Sequence, residues 1–339
     1  MQRIKDTQWR TALMGFAALW IYIFHEWKLA TGSGFIHQCL VLFKRLGFCG
    51  VDIFFLLSGI GLTYSYSKNQ QILTFYSKRL KRLLPIFWSV GIIIALFDHW
   101  SLEQTLGNLL CYNFWTKSMY SFLWFVPAIL FLYLIFPWYY KLFLIYQNKT
   151  YFLLVSLELW LIVAITFENI IRTDLYGMIN RIPIFLVGIY LGYLLQHNGI
   201  LVPHGAYILY IVSLCLGLQL AYLCNFKELI ILVPVSNCLP NFILAITLFF
   251  LLSKAFNVID NKRKKQSLLL MILEFYGNIS LEFYCIQEWL YKKTEPLLTT
   301  YFTNRLLLNT VMLILCTITA YFFHVTIRFI LSKFNRIEK

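Results

Sequence analysis

Apolar runs long enough to cross a bilayer recur along the whole chain, separated by short polar breaks. A crossing takes roughly 20 apolar residues for ~30 Å of hydrocarbon. Ten such segments fit, at about 12–30, 48–66, 85–98, 120–141, 151–168, 178–196, 205–223, 229–253, 268–290 and 304–330. The pattern predicts an all-α, polytopic membrane protein of about ten transmembrane helices. Ten crossings put both termini on one side. With the termini inside, the basic runs "KRLKR" (78–82) and "KRKK" (262–265) fall on the cytoplasmic face, as does the larger share of the 29 Lys and Arg. That asymmetry predicts N-in, C-in. Trp9 and Trp27, about 27 Å apart at helical rise, bracket the first segment. The eighth segment contains Pro234, Ser236, Asn237, Pro240 and Asn241, and a kink is expected there.

The N-terminus has the basic start of a secretory leader, with Arg3, Lys5 and Arg10 before an apolar run. The run ends in "FHEWK" with no small-residue cleavage site, so a retained first helix is expected. Composition agrees with a membrane chain. Of 339 residues 60% are hydrophobic and 13% charged, and the mean hydropathy is +0.70. A net charge of +14 would suit nucleic acid in a soluble protein. Here it follows from basic loops, and no nucleic-acid partner is expected. The eight cysteines are scattered with no CxxC, so neither a metal site nor a disulfide framework is expected. No internal repeat is visible, and residues 1–339 are read as one integral-membrane domain with no room for an extracytoplasmic accessory domain.

Polar groups at membrane depth carry the functional signal. His25 in "GFAALWIYIFHEW" lies ~24 Å above Trp9. Asp52 in "GVDIFFLLSG" sits about one turn into the second segment, and Glu282 in "FYGNISLEFYCIQEW" about two turns below Trp289. All three fall in the outer layer of the bilayer. Charges at such depth are costly and usually face a polar cavity or one another. The functional reading is a His–carboxylate pair, with His25 as base and Glu282 or Asp52 orienting it. The alternative is that each residue simply lies in the wet headgroup zone. Glu26 is about 100° around the helix from His25 and reads as an interfacial charge. Glu158, near the middle of the fifth segment, has no explanation.

In "ILTFYSKRLKRLLP" (72–85), Ile72, Phe75, Tyr76, Leu80 and Leu83 share one helical face, with Lys78 and Lys81 opposite. Arg79 falls in the middle of the apolar face and Arg82 at its edge. A topology anchor explains the lysines. It does not explain Arg79, which needs an anion from within. Arginine forks match phosphate oxygens, which suggests a phosphate-bearing ligand. Trp115, Tyr120 and Trp124 are candidates for an outer sugar platform, although interface belts are rich in aromatic residues anyway.

At these residues the chain resembles the bacterial membrane acyltransferases called acyltransferase type 3. The marks are "ALMGFAALWIYIFHEW", "GVDIFFLLSGIGL" and "FYSKRLKRLLPIFW", with weaker ones in "LWFVPAILFLYLIFP", "RIPIFLVGIYLG" and "GNISLEFYCIQ". The resemblance implies transfer of an acyl group, often acetyl, from cytoplasmic acyl-CoA to a hydroxyl on an envelope glycan or lipid-linked sugar, in the cell membrane. Acyl-CoA is then a co-substrate, with no permanently bound cofactor, and membrane lipids surround the protein. The resemblance maps the catalytic histidine to His25, the Arg-x-x-Arg pair to Arg79 and Arg82, and the acidic positions to Asp52 and Glu282. Two positions depart. Many members carry Arg or Lys eleven residues before the histidine, where this chain has Met14, with Arg10 one turn further back. The late motif often ends in a second histidine, where this chain has Gln287. These departures leave open a different substrate or a weaker activity.

The layout suggests that CoA phosphates bind Arg79 and Arg82 while the pantetheine arm reaches up to His25, roughly 20 Å or more away. His25 then acts as general base or forms an acyl-histidine intermediate. A transporter or flippase for a lipid-linked sugar would use buried charges and a Pro-broken helix in the same way. An inactive member is the third reading.

Overall fold

The computed structural model describes residues 2–4, 8–29, 32–116, 123–166, 173–197, 199–202, 205–226, 233–261 and 267–337. The basic run 262–265 and Tyr120 lie outside them. A short antiparallel ribbon pairs β1 (Gln2–Ile4) with β2 (Ile200–Val202). Everything else regular is helical. The first half contains α1 (Arg10–His25), α2 (Phe35–Arg45), α3 (Cys49–Lys68), α4 (Ile72–Phe97), α5 (Leu102–Leu109), α6 (Tyr112–Thr116) and α7 (Phe125–Ile145). The second contains α8 (Lys149–Thr166), α9 (Thr173–Ile179), α10 (Ile182–His197), α11 (Ala206–Phe226), α12 (Val233–Asn261), α13 (Leu268–Asn278), α14 (Ser280–Leu298) and α15 (Arg305–Ile337).

Seven of these, α4, α7, α8, α10 with the end of α9, α11, α12 and α15, are long and apolar enough to cross a membrane, and the α13–α14 pair raises the number to eight. The chain is thus an all-α polytopic membrane protein. The ten expected segments add α1 and α3. With 16 residues, α1 is about 24 Å long and is wrapped by protein: Ala12, Leu13 and Ala17 are fully buried. Its small residues let neighbours approach closely. A Cβ added to Gly15 would strike the Leu273 carbonyl on α13, and one added to Gly277 would strike the Thr11 carbonyl on α1. Close backbone approach of this kind substitutes for the hydrophobic effect where the solvent is lipid.

A similar seam joins α3 to α10, where Gly59 and Gly188 face each other's backbones. Both helices are apolar on all sides, and α3 is buried along most of its length. Proline does not break the eighth segment, because α12 continues through Pro240. The sharp bend, 76°, falls between α13 and α14. It turns the first residues of α14 toward α1.

Candidate active site

One face of α1 organises the site. Arg10, Met14 and Ile21 recur at helical spacing and line a narrow cavity of about 50 Å³. Arg82 and Tyr133 are within electrostatic reach of Arg10, which packs on Leu57 and Gly61 of α3, while Ile21 packs on Gly50. Phe54 lies between these levels of α3, and Phe125 packs on Phe54 and Tyr284. His25 follows Ile21 by one helical turn on that face. The cavity therefore rises along α1 from a cluster of arginines to within one turn of the histidine. The bend before α14 contributes Ser280 and Tyr284 to its wall.

The arginine end is rich in charge and lacks counter-charge. Arg10 donates from Nε to the Leu57 carbonyl at 3.2 Å, and its guanidinium packs against Gly61. Arg79 is half-buried and lies 5.5 Å from the Phe75 ring, with its Nε buried and without a hydrogen-bond partner. Arg82 is exposed, and the fields of Arg79 and Arg82 both reach Arg10. Among the described residues no carboxylate pairs with any of the three. Partly buried cations normally pair with something, so this end suits an anion from outside the chain. Lys78 and Lys81 point outward, on the opposite face of α4.

The histidine end differs from the sequence expectation. His25 is exposed as a residue, and its ring stands edge-on to Phe24, at 4.8 Å between centroids. The charged groups whose fields reach it are Glu288, Lys292 and Lys44. Neither expected carboxylate is its partner. Glu282 accepts from His324 Nδ1 at 2.9 Å, because residue 282 is about 200° around α14 from cavity-lining Ser280 and therefore faces α15. Asp52, 2% exposed, lies 3.7 Å from Arg181, which the α3–α10 seam brings against it. The shared outer layer of His25, Asp52 and Glu282 thus separates into three environments.

Glu26 is also corrected. It caps α1 and is 6% exposed, turned into the protein and away from the interface. Glu158 is exposed on α8. Trp115 is exposed, and Trp124 is half-buried with Arg181 5.5 Å from its ring. Met14 lines the cavity directly, and Gln287 is 2% exposed on α14. Sequence reasoning passed over Arg181, Glu288 and His324. His324 had a readable signal, a titratable group inside the last apolar run "YFFHVTI". Arg181 and Glu288 had none, since each matters only through a neighbour on another helix.

Comparison with curated proteins and with solved structures returned no match. A family model described as an acyltransferase domain matches residues 8–328, nearly the whole chain. With its helical membrane architecture, that match places the chain in the acyltransferase type 3 family of membrane acyltransferases.

Proposed function

We propose that this protein moves an acyl group, acetyl in the simplest case, from cytoplasmic acyl-CoA to a hydroxyl of an envelope glycan or lipid-linked sugar. The observation that carries the reading is the cavity along α1, with Arg10 and Arg82 at one end, Arg79 within electrostatic reach, no carboxylate paired with any of them among the described residues, and His25 one turn beyond Ile21 at the other end. A ligand with phosphates at one terminus and a reactive carbon at the other matches that order. Arg79 and Arg82 hold the CoA phosphates, and Arg10 adds a third fork.

At about 50 Å³ the cavity is narrow. The pantetheine arm passes only when the Phe54 and Phe125 side chains move aside. At the far end His25 takes the proton of the acceptor hydroxyl as its oxygen attacks the thioester carbonyl. The new C–O bond forms, the C–S bond breaks, and the proton passes from the imidazolium to the departing thiolate. Glu288 is the carboxylate whose field favours the imidazolium in that step.

Purified protein supplied with acetyl-CoA radiolabelled in the acetyl group should transfer label to a glycan acceptor and release free CoA thiol. A flippase or an inactive member consumes no thioester. Retention of wild-type transfer by His25→Ala removes the histidine from the chemistry.

A further inference from the structure

A second polar cluster lies about 100° around α1 from the cavity-lining face, toward α14 and α15. Glu26, the C-cap of α1, follows Tyr22 by four residues, its N–H donating to the Tyr22 carbonyl, and Gln287 and Tyr291 are four apart on one face of α14. All four are at least nine-tenths buried, at 1%, 6%, 2% and 4% exposure. The Tyr22 and Tyr291 hydroxyls and Gln287 Oε1 have no hydrogen-bond partner. Among the described residues the Glu26 carboxyl has no hydrogen bond or ion pair either. Tyr22, Glu26, Tyr291 and Cys316 of α15 lie within electrostatic reach of one another.

The arrangement is fixed from outside the cluster. Just past Glu26, the Lys28 backbone N–H donates to Asn309 Oδ1 at 3.2 Å, and Asn309 Nδ2 donates to the Lys28 carbonyl at 2.8 Å. Lys28 Nζ pairs with Glu295. These ties hold the backbone just past Glu26 against α14 and α15. Leaving one buried polar group unmade costs ~1–3 kcal/mol, and three such atoms, the Tyr22 and Tyr291 hydroxyl oxygens and Gln287 Oε1, lie unmade beside the Glu26 carboxyl, which calls for something between them.

We propose that Tyr22, Glu26, Gln287 and Tyr291 form an internal site that binds a hydroxyl group, supplied by water or by the sugar acceptor. Glu26 and Gln287 Oε1 accept from it, and the two phenols donate to it or accept from it as its orientation requires. The fields of Glu288, Lys292, Glu295 and Lys44 all reach the carboxyl. In the acceptor form the site rests on the acyl-transfer reading, and it would hold one ring hydroxyl while another meets His25. In the water form it stands without that reading.

The test is a map of the full-length protein that resolves ordered water, recorded with no addition and with methyl glucoside as a sugar probe. The proposal expects density within about 2.6–3.2 Å of both the Glu26 carboxyl and a phenol oxygen. Density that persists unchanged with the glucoside assigns the site to water, and replacement by a ring hydroxyl assigns it to the acceptor. Direct bonds among the four side chains, with no density between them, overturn the proposal. A Tyr22→Phe, Tyr291→Phe double variant should lose the density and unfold a few degrees lower. An unchanged or raised unfolding temperature in that variant would also overturn it. None of these readouts needs acyl transfer, so failure of acetyl labelling and failure of this site are separable.

Discussion

Replacing Arg82 with alanine removes one of the two guanidiniums that line the α1 cavity, with Arg79 within electrostatic reach. The structure gives Arg82 no carboxylate partner among the described residues, and the side chain is exposed. Its loss therefore leaves no stranded anion and eases repulsion with Arg10. Stability should stay within about 0.5 kcal/mol of wild type, the usual range for a surface position with no special contacts. Binding should respond very differently. A hydrogen bond to a charged group is worth about 1.5–3 kcal/mol, which corresponds to roughly a 10- to 150-fold rise in the Kd for CoA. Calorimetric titration of CoA into purified Arg82→Ala protein, beside its thermal unfolding curve, reads both quantities. The phosphate contact is also electrostatic, so wild-type affinity should fall with added salt more steeply than that of the variant. A variant that binds CoA as tightly as wild type refutes the phosphate role. A variant that unfolds much earlier shows that Arg82 serves the fold instead.

Three further outcomes follow from the same geometry. His25→Ala should lower acetyl transfer by about 10²–10⁴-fold, the range for a general base, with CoA affinity unchanged in titration. Glu282→Ala leaves His324 Nδ1 without its hydrogen-bond partner between α14 and α15, so denaturant unfolding should show a loss of about 1–3 kcal/mol, while CoA binding, which does not involve this pair, stays as in wild type. Gly277→Ala drives a methyl into the Thr11 carbonyl. Overpacking of that kind costs about 1–3 kcal/mol, and it should appear as a lower unfolding temperature.

Much of the architecture was legible because lipid imposes length and apolarity on each crossing, and these are properties of a single segment. The face of α4 was legible for the same reason. Phe75 and Leu83 are buried while Lys78 and Lys81 are exposed, although Leu80, placed on the apolar face by periodicity, is 42% exposed. Pairings between helices were not legible. α3 and α10 are apolar all round, so no periodicity marks which side Asp52 shows to Arg181. The 76° turn after Asn278 sets which residues of α14 face the cavity, and nothing local in "YGNISLEF" specifies that Ser280 turns toward α1 while Glu282 turns away. Glu26 was misread because α1 ends at His25. The next residue belongs to a cap held inward by Asn309, 281 positions from Lys28 in the chain.

The central claim is that acyl-CoA lies along α1, with its phosphates among Arg10, Arg79 and Arg82 and its acyl carbon beside His25. The most direct measurement is a structure of the full-length protein bound to a non-hydrolysable acetyl-CoA thioether. The account predicts phosphate density at the three guanidiniums and the acetyl carbon near the His25 ring, with the Phe54 and Phe125 side chains displaced. Phosphates bound elsewhere, or a pantetheine arm leaving toward lipid while the α1 cavity stays closed, would contradict it.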